Sequence, residues 1–209
     1  MKNCLIASVL ISALGGISLP LMAKEIELPS INVVDRFEGG ASSIPGAVDI
    51  VSPEKMEMIQ PASLQDALKM VPGVNARDEE GYGAIPNIGI RGLSPNRSWE
   101  FNVRQNGYDI SSEVFGYPES YFSPPMEALE KIELVRGAAS LQFGPQFGGL
   151  LNYEIKKAPK DKAFSFETQQ TKGSYGLYNA YNAVGGTYKK ISYYAYFHHR
   201  SADGWRNNS

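Results

Sequence analysis

The sequence of 209 residues predicts a small α+β domain over residues 46–157 and a purely β segment from residue 163 onward. Helix starts and strand patterns alternate in the first part, which indicates short helices packed on a mixed sheet. After residue 163 the helix starts disappear and alternating apolar and polar residues take over. A glycine-rich stretch at residues 137–149 lies between two apolar runs, and it predicts tight turns or close backbone approach rather than a regular helix.

Two serines mark the predicted helix starts. Ser52 precedes a proline and an acid, the pattern of an N-cap with proline at the first helical position. Ser63 begins a pattern resembling a capping box, followed by one apolar helix face made of Leu64, Ala67, Leu68 and Val71. Pro72 and Gly73 end that helix. A third helix is predicted from Pro124 to about residue 131.

Short β-prone runs predict the strands of the first domain. They lie at residues 48–51, 74–77, 88–91 and 132–136. Two further runs, at residues 101–105 and 108–110, flank Asn106 and Gly107, the dipeptide favoured in a type I′ hairpin turn. The strands and helices together predict a mixed sheet with few, short helices.

Three longer runs follow, at residues 163–172, 177–188 and 191–200. Each has about the ten-residue length of a tilted membrane-spanning strand. In the third run, apolar residues at every second position share one face of the strand: Ile191, Tyr193, Ala195 and Phe197. The edge of a soluble β-sandwich has the same pattern, so these runs alone leave both possibilities open.

Charge and composition exclude several classes of function. The net charge of −2 argues against nucleic-acid binding, because domains that bind nucleic acid usually carry an excess of positive charge. No nucleophile–base arrangement is found with only two histidines, so the sequence does not predict an enzyme. His198 and His199 are adjacent on a predicted strand and point to opposite faces, which argues against a shared metal ion.

Residues 1–23 are predicted to be a secretory signal peptide. Lys2 supplies the positively charged N-terminal region, residues 5–14 form the apolar region, and Ala23 is the small residue that precedes the cleavage site. The only cysteine, Cys4, is expected to be removed with this segment, which leaves no disulfide and no thiolate metal ligand. No later segment is apolar enough over sufficient length for a membrane-spanning helix, so we expect either a soluble protein outside the cytoplasm or a β-barrel.

A polar arm at residues 24–45 follows the signal peptide. It holds one short β-prone stretch at residues 31–35, which is suited to pair with the sheet edge of a partner. An ordinary edge strand or linker would have the same composition.

A series of short motifs runs along the chain: DAL at 66–68, VPGV at 71–74, IRG at 90–92, NG at 106–107, IELVRG at 132–137, FGPQ at 143–146, GGLLNY at 148–153 and DGWR at 203–206. Each motif alone is a weak signal, but their order and spacing together are specific. The series resembles the TonB-dependent outer-membrane receptors, and among them the ferric-citrate and siderophore receptor group, and the resemblance extends over residues 31–209.

The resemblance implies a specific architecture. Residues 46–157 would be the α+β plug domain, and residues 163–209 the first antiparallel strands of a large transmembrane β-barrel of about 22 strands, incomplete in this N-terminal fragment. Residues 24–45 would be a periplasmic arm that carries the TonB box, and the location would be the outer membrane of a Gram-negative cell. The TonB box is placed at Ile31, Asn32, Val33, Val34 and Asp35.

The same resemblance implies active uptake of an iron chelate, ferric citrate or another siderophore, powered through TonB. The expected partners are TonB with its inner-membrane motor proteins, the ferric chelate and outer-membrane lipid, with no nucleic acid and no cofactor. The alternative from a different class is an exported soluble β-rich binding or adhesion module.

The resemblance also assigns roles to individual residues. Arg91 and Arg136 would pair with barrel glutamates, and we expect those partners to lie beyond this chain. Three loops, at residues 79–86, 93–98 and 111–123, would face outward and contact the ligand. Their candidate ligand-binding residues are Tyr82, Arg97, Tyr117 and Tyr121.

Overall fold

The computed structural model describes residues 46–78, 83, 85–112 and 119–204. The predicted signal peptide, arm and TonB box at residues 31–35 lie outside the described residues. The described chain forms two helices and ten strands. In chain order these are β1 (Ala47–Val51), α1 (Pro53–Ile59), α2 (Leu64–Leu68), β2 (Val74–Ala76), β3 (Ile88–Ile90), β4 (Phe101–Gln105), β5 (Tyr108–Asp109), β6 (Leu129–Arg136), β7 (Gly149–Ile155), β8 (Ser165–Lys172), β9 (Tyr178–Tyr188) and β10 (Ile191–Ser201).

Both predicted serine caps are present. The hydroxyl of Ser63 accepts a hydrogen bond from the backbone N–H of Asp66 at 3.2 Å, and Ser52 caps α1 in the same way through Lys55 at 3.5 Å. These bonds satisfy N–H groups that the first helical turn leaves without partners. The two predicted helix starts are therefore confirmed.

The predicted third helix is wrong. Only a 3₁₀ turn forms, over Met126–Ala128, and strand β6 begins immediately after it. Leu129 pairs with Ile155 of β7, and the carbonyl of Ala128 accepts a hydrogen bond from the N–H of Lys156 at 2.9 Å. The sheet therefore takes the backbone groups that a longer helix would need.

Five strands make the main sheet in the order β1-β6-β7-β4-β5. All neighbours are antiparallel except β4 and β7, which are parallel. The β4–β5 hairpin turns through Asn106 and Gly107 with φ values of 51° and 82°, as a type I′ turn requires. The side chain of Asn152 on β7 accepts a hydrogen bond from the N–H of Gly107 at 2.9 Å and fixes the turn to the sheet.

One face of this sheet carries the hydrophobic core. It packs against α2 and the β2–β3 hairpin, and its members are buried. The core contains Val51, Leu64, Ala67, Leu68, Val71, Ile88, Ile90, Phe101, Val103, Leu129, Ile132, Leu134, Leu151 and Tyr153. Complete burial raises the pKa of the Tyr153 phenol.

The glycine-rich stretch forms a 3₁₀ turn over Ala138–Phe143 and then enters β7. Gly149 has a φ of 118°, and a Cβ atom there would lie 2.4 Å from the carbonyl oxygen of Val135. The predicted close backbone approach is therefore present, and it lets β7 pair tightly with β6.

The three C-terminal runs form a separate antiparallel sheet in the order β10-β9-β8. Its strands begin and end within two residues of the predicted limits. Within the described residues, no helix combines the length and hydropathy needed to cross a membrane.

Candidate functional site

Two loops of the α+β domain meet at a cluster of Arg97, Glu119 and Tyr121, which we name the loop cluster. Arg97 lies in a 3₁₀ turn and has a φ of 47°. Its backbone N–H donates to the side-chain oxygen of Asn87 at 2.8 Å, and its carbonyl accepts from the N–H of Ser120 at 2.9 Å. The strained backbone is therefore held by bonds on both sides, and it presents the guanidinium outward.

Buried Ser98 anchors the same turn from below. Its hydroxyl donates to the carbonyl of Pro86 at 2.9 Å and accepts from the N–H of Ile88 at 3.1 Å. The turn is thereby tied to the start of β3, which lies in the core. The loop cluster stands on a rigid base although Arg97 and Tyr121 are exposed and Glu119 is only partly buried.

The three side chains of the loop cluster contact one another. Nη1 of Arg97 lies 3.2 Å from a carboxylate oxygen of Glu119 and 3.2 Å from the hydroxyl of Tyr121. The Tyr121 hydroxyl also donates to the Glu119 carboxylate, and the guanidinium lies over the tyrosine ring at 5.3 Å from its centroid. Each residue thus contacts the other two.

The pKa values in the loop cluster follow from these contacts. The hydrogen bond from Tyr121 lowers the pKa of Glu119, and the bond from Arg97 acts in the same direction. The bond to Glu119 raises the pKa of both Arg97 and Tyr121. At neutral pH the cluster therefore contains one carboxylate, one guanidinium and a neutral phenol.

The structure brings together two of the four predicted ligand residues, Arg97 and Tyr121. The other two, Tyr82 and Tyr117, lie outside the described residues. Sequence reasoning missed Glu119, although a carboxylate two residues before Tyr121 in the same loop is a signal that could have identified it.

The two predicted pairing arginines lie at one turn, Pro72–Gly73. Nη1 of Arg136 donates to the carbonyl of Pro72 at 3.0 Å. The backbone N–H of Arg91 donates to the carbonyl of Gly73 at 3.1 Å. The side chain of Arg91 is exposed, whereas Arg136 is buried.

Arg136 has a carboxylate partner within this chain. Its guanidinium forms an ion pair with Asp49 on β1, the strand at the sheet edge. Pairing of both arginines with barrel glutamates stays a prediction, and Arg136 has in addition a partner within this chain. The physical reason is the β1–β6 register: Asp49 pairs with Leu134, so its side chain lies diagonally beside Arg136 on the same face.

A buried charged network on the other face of the main sheet was not predicted. Nζ of Lys131 lies 2.8 Å from Glu133 and 3.0 Å from Glu154, and both carboxylates are buried. The side chain of Asn152 also donates to Glu133 at 3.0 Å. Desolvation alone would lower the pKa of Lys131, but the hydrogen bonds to Glu133 and Glu154 outweigh it and raise the pKa.

The α+β domain and the three-stranded sheet are joined by a polar bridge. Asn179 on β9 donates to Glu127 of the 3₁₀ turn and bonds to the ring of His198 on β10 at 2.6 Å. Tyr181 packs beside it against Ala128. Next to these contacts, a cleft of about 730 Å³ lies between α1 and the three-stranded sheet.

His198 and His199 point to opposite faces of β10, as predicted. His198 contacts Asn179, while the ring of His199 lies 6.4 Å from the ring of Tyr178. Among the residues that the structure describes, no group of three or more histidine, cysteine, aspartate or glutamate side chains is arranged to hold a metal ion.

Comparisons with known proteins give one consistent result. Residues 40–150 match the family model described as TonB-dependent Receptor Plug Domain. The chain is 28% identical over 191 residues to the vitamin B12 transporter BtuB of Photobacterium profundum, covering 89% of this chain and 30% of the relative. It is 31% identical over 165 residues to the BtuB of Vibrio vulnificus, covering 78% and 26%.

Among solved structures, the unliganded ferric citrate transporter FecA matches with a TM-score of 0.57 and 25% identity. The match covers 73% of this chain and 25% of that chain. The chain therefore spans less than a third of the length of each of these relatives. The relatives are transporters and not enzymes.

Proposed function

The chain belongs to the family of TonB-dependent receptors by its plug domain, and on this premise we propose that it forms the plug and first wall strands of an outer-membrane receptor that takes up an iron chelate. Energy is supplied through TonB. The relatives span several times the length of this chain, so the activity proposed is that of a longer receptor to which this chain contributes.

The observation that carries the proposal is the polarity of the three-stranded sheet. Its exposed face carries most of the large exposed apolar side chains of the sheet, with Thr168, Gln170 and Asn182 among them, whereas the face toward the plug is mostly polar. The exposed face includes Phe166, Tyr178, Tyr188, Ile191, Tyr193 and Phe197, and the plug-facing side includes Glu167, Gln169, Thr171, Asn179, His198 and Arg200. A soluble sandwich would have the opposite arrangement, whereas strands of a membrane barrel are apolar toward lipid and polar toward the lumen.

The position of the proposed TonB box supports a mechanical role for the edge strand. Residues 31–35 precede β1 along the chain, and β1 pairs with β6 on one side only. Force applied to the arm would reach the Ala47–Arg136 pair before any other pair of the main sheet. The ion pair between Asp49 and Arg136 resists this first step, and its loss would release β1 as an order–disorder switch.

Arg91 fits the proposed pairing with barrel glutamates. Its side chain is exposed, and no described residue forms a hydrogen bond or ion pair with its guanidinium. A guanidinium–carboxylate pair between plug and barrel would fix their register at modest net stability, as a releasable plug needs.

The loop cluster supports a ligand-binding role at the outward end of the plug. It combines a guanidinium, a carboxylate and an exposed phenol on a rigid base, and such groups recognise polar ligands by hydrogen bonding and ring contact. Relatives named for vitamin B12 and for ferric citrate support a metal chelate as the ligand, and we propose iron as the metal.

Deletion of residues 31–35 in the full-length receptor tests whether these residues serve energy coupling while other residues bind the ligand. The deletion should abolish uptake of radiolabelled ferric chelate by iron-starved cells while the same cells still bind it. A matched deletion of residues 24–28, in the same arm, should leave uptake unchanged. Loss of binding and uptake together would refute the proposal that residues 31–35 serve energy coupling alone.

A further inference from the structure

The positive charge of Arg97 is already compensated by its neighbours. Its guanidinium is within hydrogen-bond distance of the Glu119 carboxylate, and it also contacts the hydroxyl and ring of Tyr121. An anion that approached Arg97 would have to displace Glu119 or accept its repulsion. The described loop cluster is therefore a neutral surface rather than an anion site.

The sequence of the three loop segments that the resemblance assigns to ligand contact is acidic. Read from the sequence alone, residues 79–86, 93–98 and 111–123 carry four carboxylates and one guanidinium, a net charge of −3. The carboxylates belong to Glu79, Glu80, Glu113 and Glu119, and the guanidinium to Arg97. A field of this sign slows the association of anions and favours neutral or cationic ligands.

Exposed rings accompany the loop cluster. Tyr121 is 45% exposed, and Phe122 beside it is 50% exposed. Trp99, two residues after Arg97, is 45% exposed. Exposed aromatic side chains at a binding surface supply apolar contact area with little loss of side-chain entropy.

We propose that the loop cluster selects a metal chelate without net negative charge and with an apolar outer surface, and that Glu119 is the residue that rejects anionic chelates. The inference rests on the proposed function and deepens it by naming the ligand class. In this proposal the guanidinium of Arg97 is held by Glu119 and is not available to an anionic chelate. Specificity then comes from a repulsive group as well as from attractive contacts.

The test compares two ferric chelates on the purified full-length receptor in detergent. One is a ferric trihydroxamate, in which three hydroxamates balance the charge of Fe³⁺ and leave a neutral complex. The other is ferric citrate, which is anionic. In titration calorimetry, the wild-type receptor should bind the ferric trihydroxamate with a dissociation constant at least about tenfold lower than that for ferric citrate.

The variant Glu119→Gln should tighten ferric citrate binding by about five- to tenfold and change binding of the trihydroxamate by less than about twofold. Glu130→Gln removes the same charge from an exposed position on β6 and should change neither affinity. Because Glu119 is only partly buried and Gln keeps the side chain's size, nearly equal thermal unfolding of the variant and wild type should accompany the shift.

Tighter binding of ferric citrate by the wild type, or an equal effect of Glu119→Gln on both chelates, would overturn the inference while leaving the proposed function intact. Binding of neither ferric chelate would overturn the proposed function and the inference with it. The two failures are therefore distinguishable in one set of titrations.

Discussion

Asp49 on β1 and Arg136 on β6 form an ion pair that joins the edge strand of the plug sheet to its neighbour. Arg136 also binds the carbonyl of Pro72, so one guanidinium links β1, β6 and the turn before β2. The side chain of Arg136 is only 11% exposed, which protects the pair from solvent and salt. Its member Asp49 belongs to β1, which is the first strand after the arm at residues 24–45.

Substitution of Asp49 by Asn should loosen β1 without unfolding the plug. We expect a loss of about 1–3 kcal/mol in the local opening free energy, because a mostly buried guanidinium loses its charged partner. Hydrogen exchange should accelerate at the amides of residues 47–51 and 132–136 more than in the β4–β5 hairpin. The control Glu57→Gln removes an exposed carboxylate from neighbouring α1 and should leave these rates unchanged; uniform exchange across the sheet in Asp49→Asn would contradict the proposed role of the pair.

Replacement of Lys131 by Met should destabilise the plug strongly. The variant leaves Glu133 and Glu154 buried without their cation, and breaking such a pair costs about 3–5 kcal/mol. Chemical unfolding should show this loss, and Glu133→Gln combined with Lys131→Met should recover part of it. The control Lys69→Met breaks an exposed pair with Asp66 and should cost less than about 1 kcal/mol.

The same lysine predicts a dependence of stability on pH. Its folded-state pKa is raised above the unfolded value of about 10.4, so its contribution is fully present below that pH. The contribution is lost as pH rises through the folded-state pKa. The stability that Lys131 contributes to the wild type should therefore be constant near neutral pH and fall only above about pH 10; its loss between about pH 6 and 8 would contradict the assignment.

A cation on the exposed face of the three-stranded sheet should prevent membrane assembly. Phe197 is 66% exposed on the apolar face of β10, and Phe197→Arg would place a guanidinium toward lipid at a cost of about 2–4 kcal/mol near the bilayer midplane. The amount of folded receptor in outer-membrane fractions should fall. Gln169→Arg, on the plug-facing side of β8, should be tolerated, and equal yields of both variants would argue against lipid contact at Phe197.

Local signals in the sequence predicted much of the fold. The caps at Ser52 and Ser63 and the turn at Asn106–Gly107 depend on residues a few positions apart, and all three are present. The third helix failed because Pro124 and Pro125 signal a turn as well as a helix start, and pairing of β6 with β7 decided between them.

The candidate site was less predictable because its contacts join distant residues. Arg97 and Glu119 are 22 positions apart, and Glu133 and Asn152 are 19 apart. Such pairs follow from strand register and loop path, which residue patterns do not specify. Arg136 was identified by its motif, but its partner Asp49 followed only from the pairing of β1 with β6.

A cysteine scan of β10 most directly tests the proposal that the three-stranded sheet is part of a membrane barrel with one face toward lipid. The only cysteine in this sequence is Cys4, so single cysteines at residues 191–201 of the full-length receptor can carry a spin label without interference from the rest of this chain. In outer membranes, labels at odd positions, including 193, 195 and 197, should be relaxed by lipid-dissolved oxygen, and labels at 194, 196 and 198 should not. Equal accessibility of all positions to a water-soluble relaxant would contradict the assignment of β10 to a membrane barrel. Lipid contact at the even positions would contradict the proposed orientation of the strand.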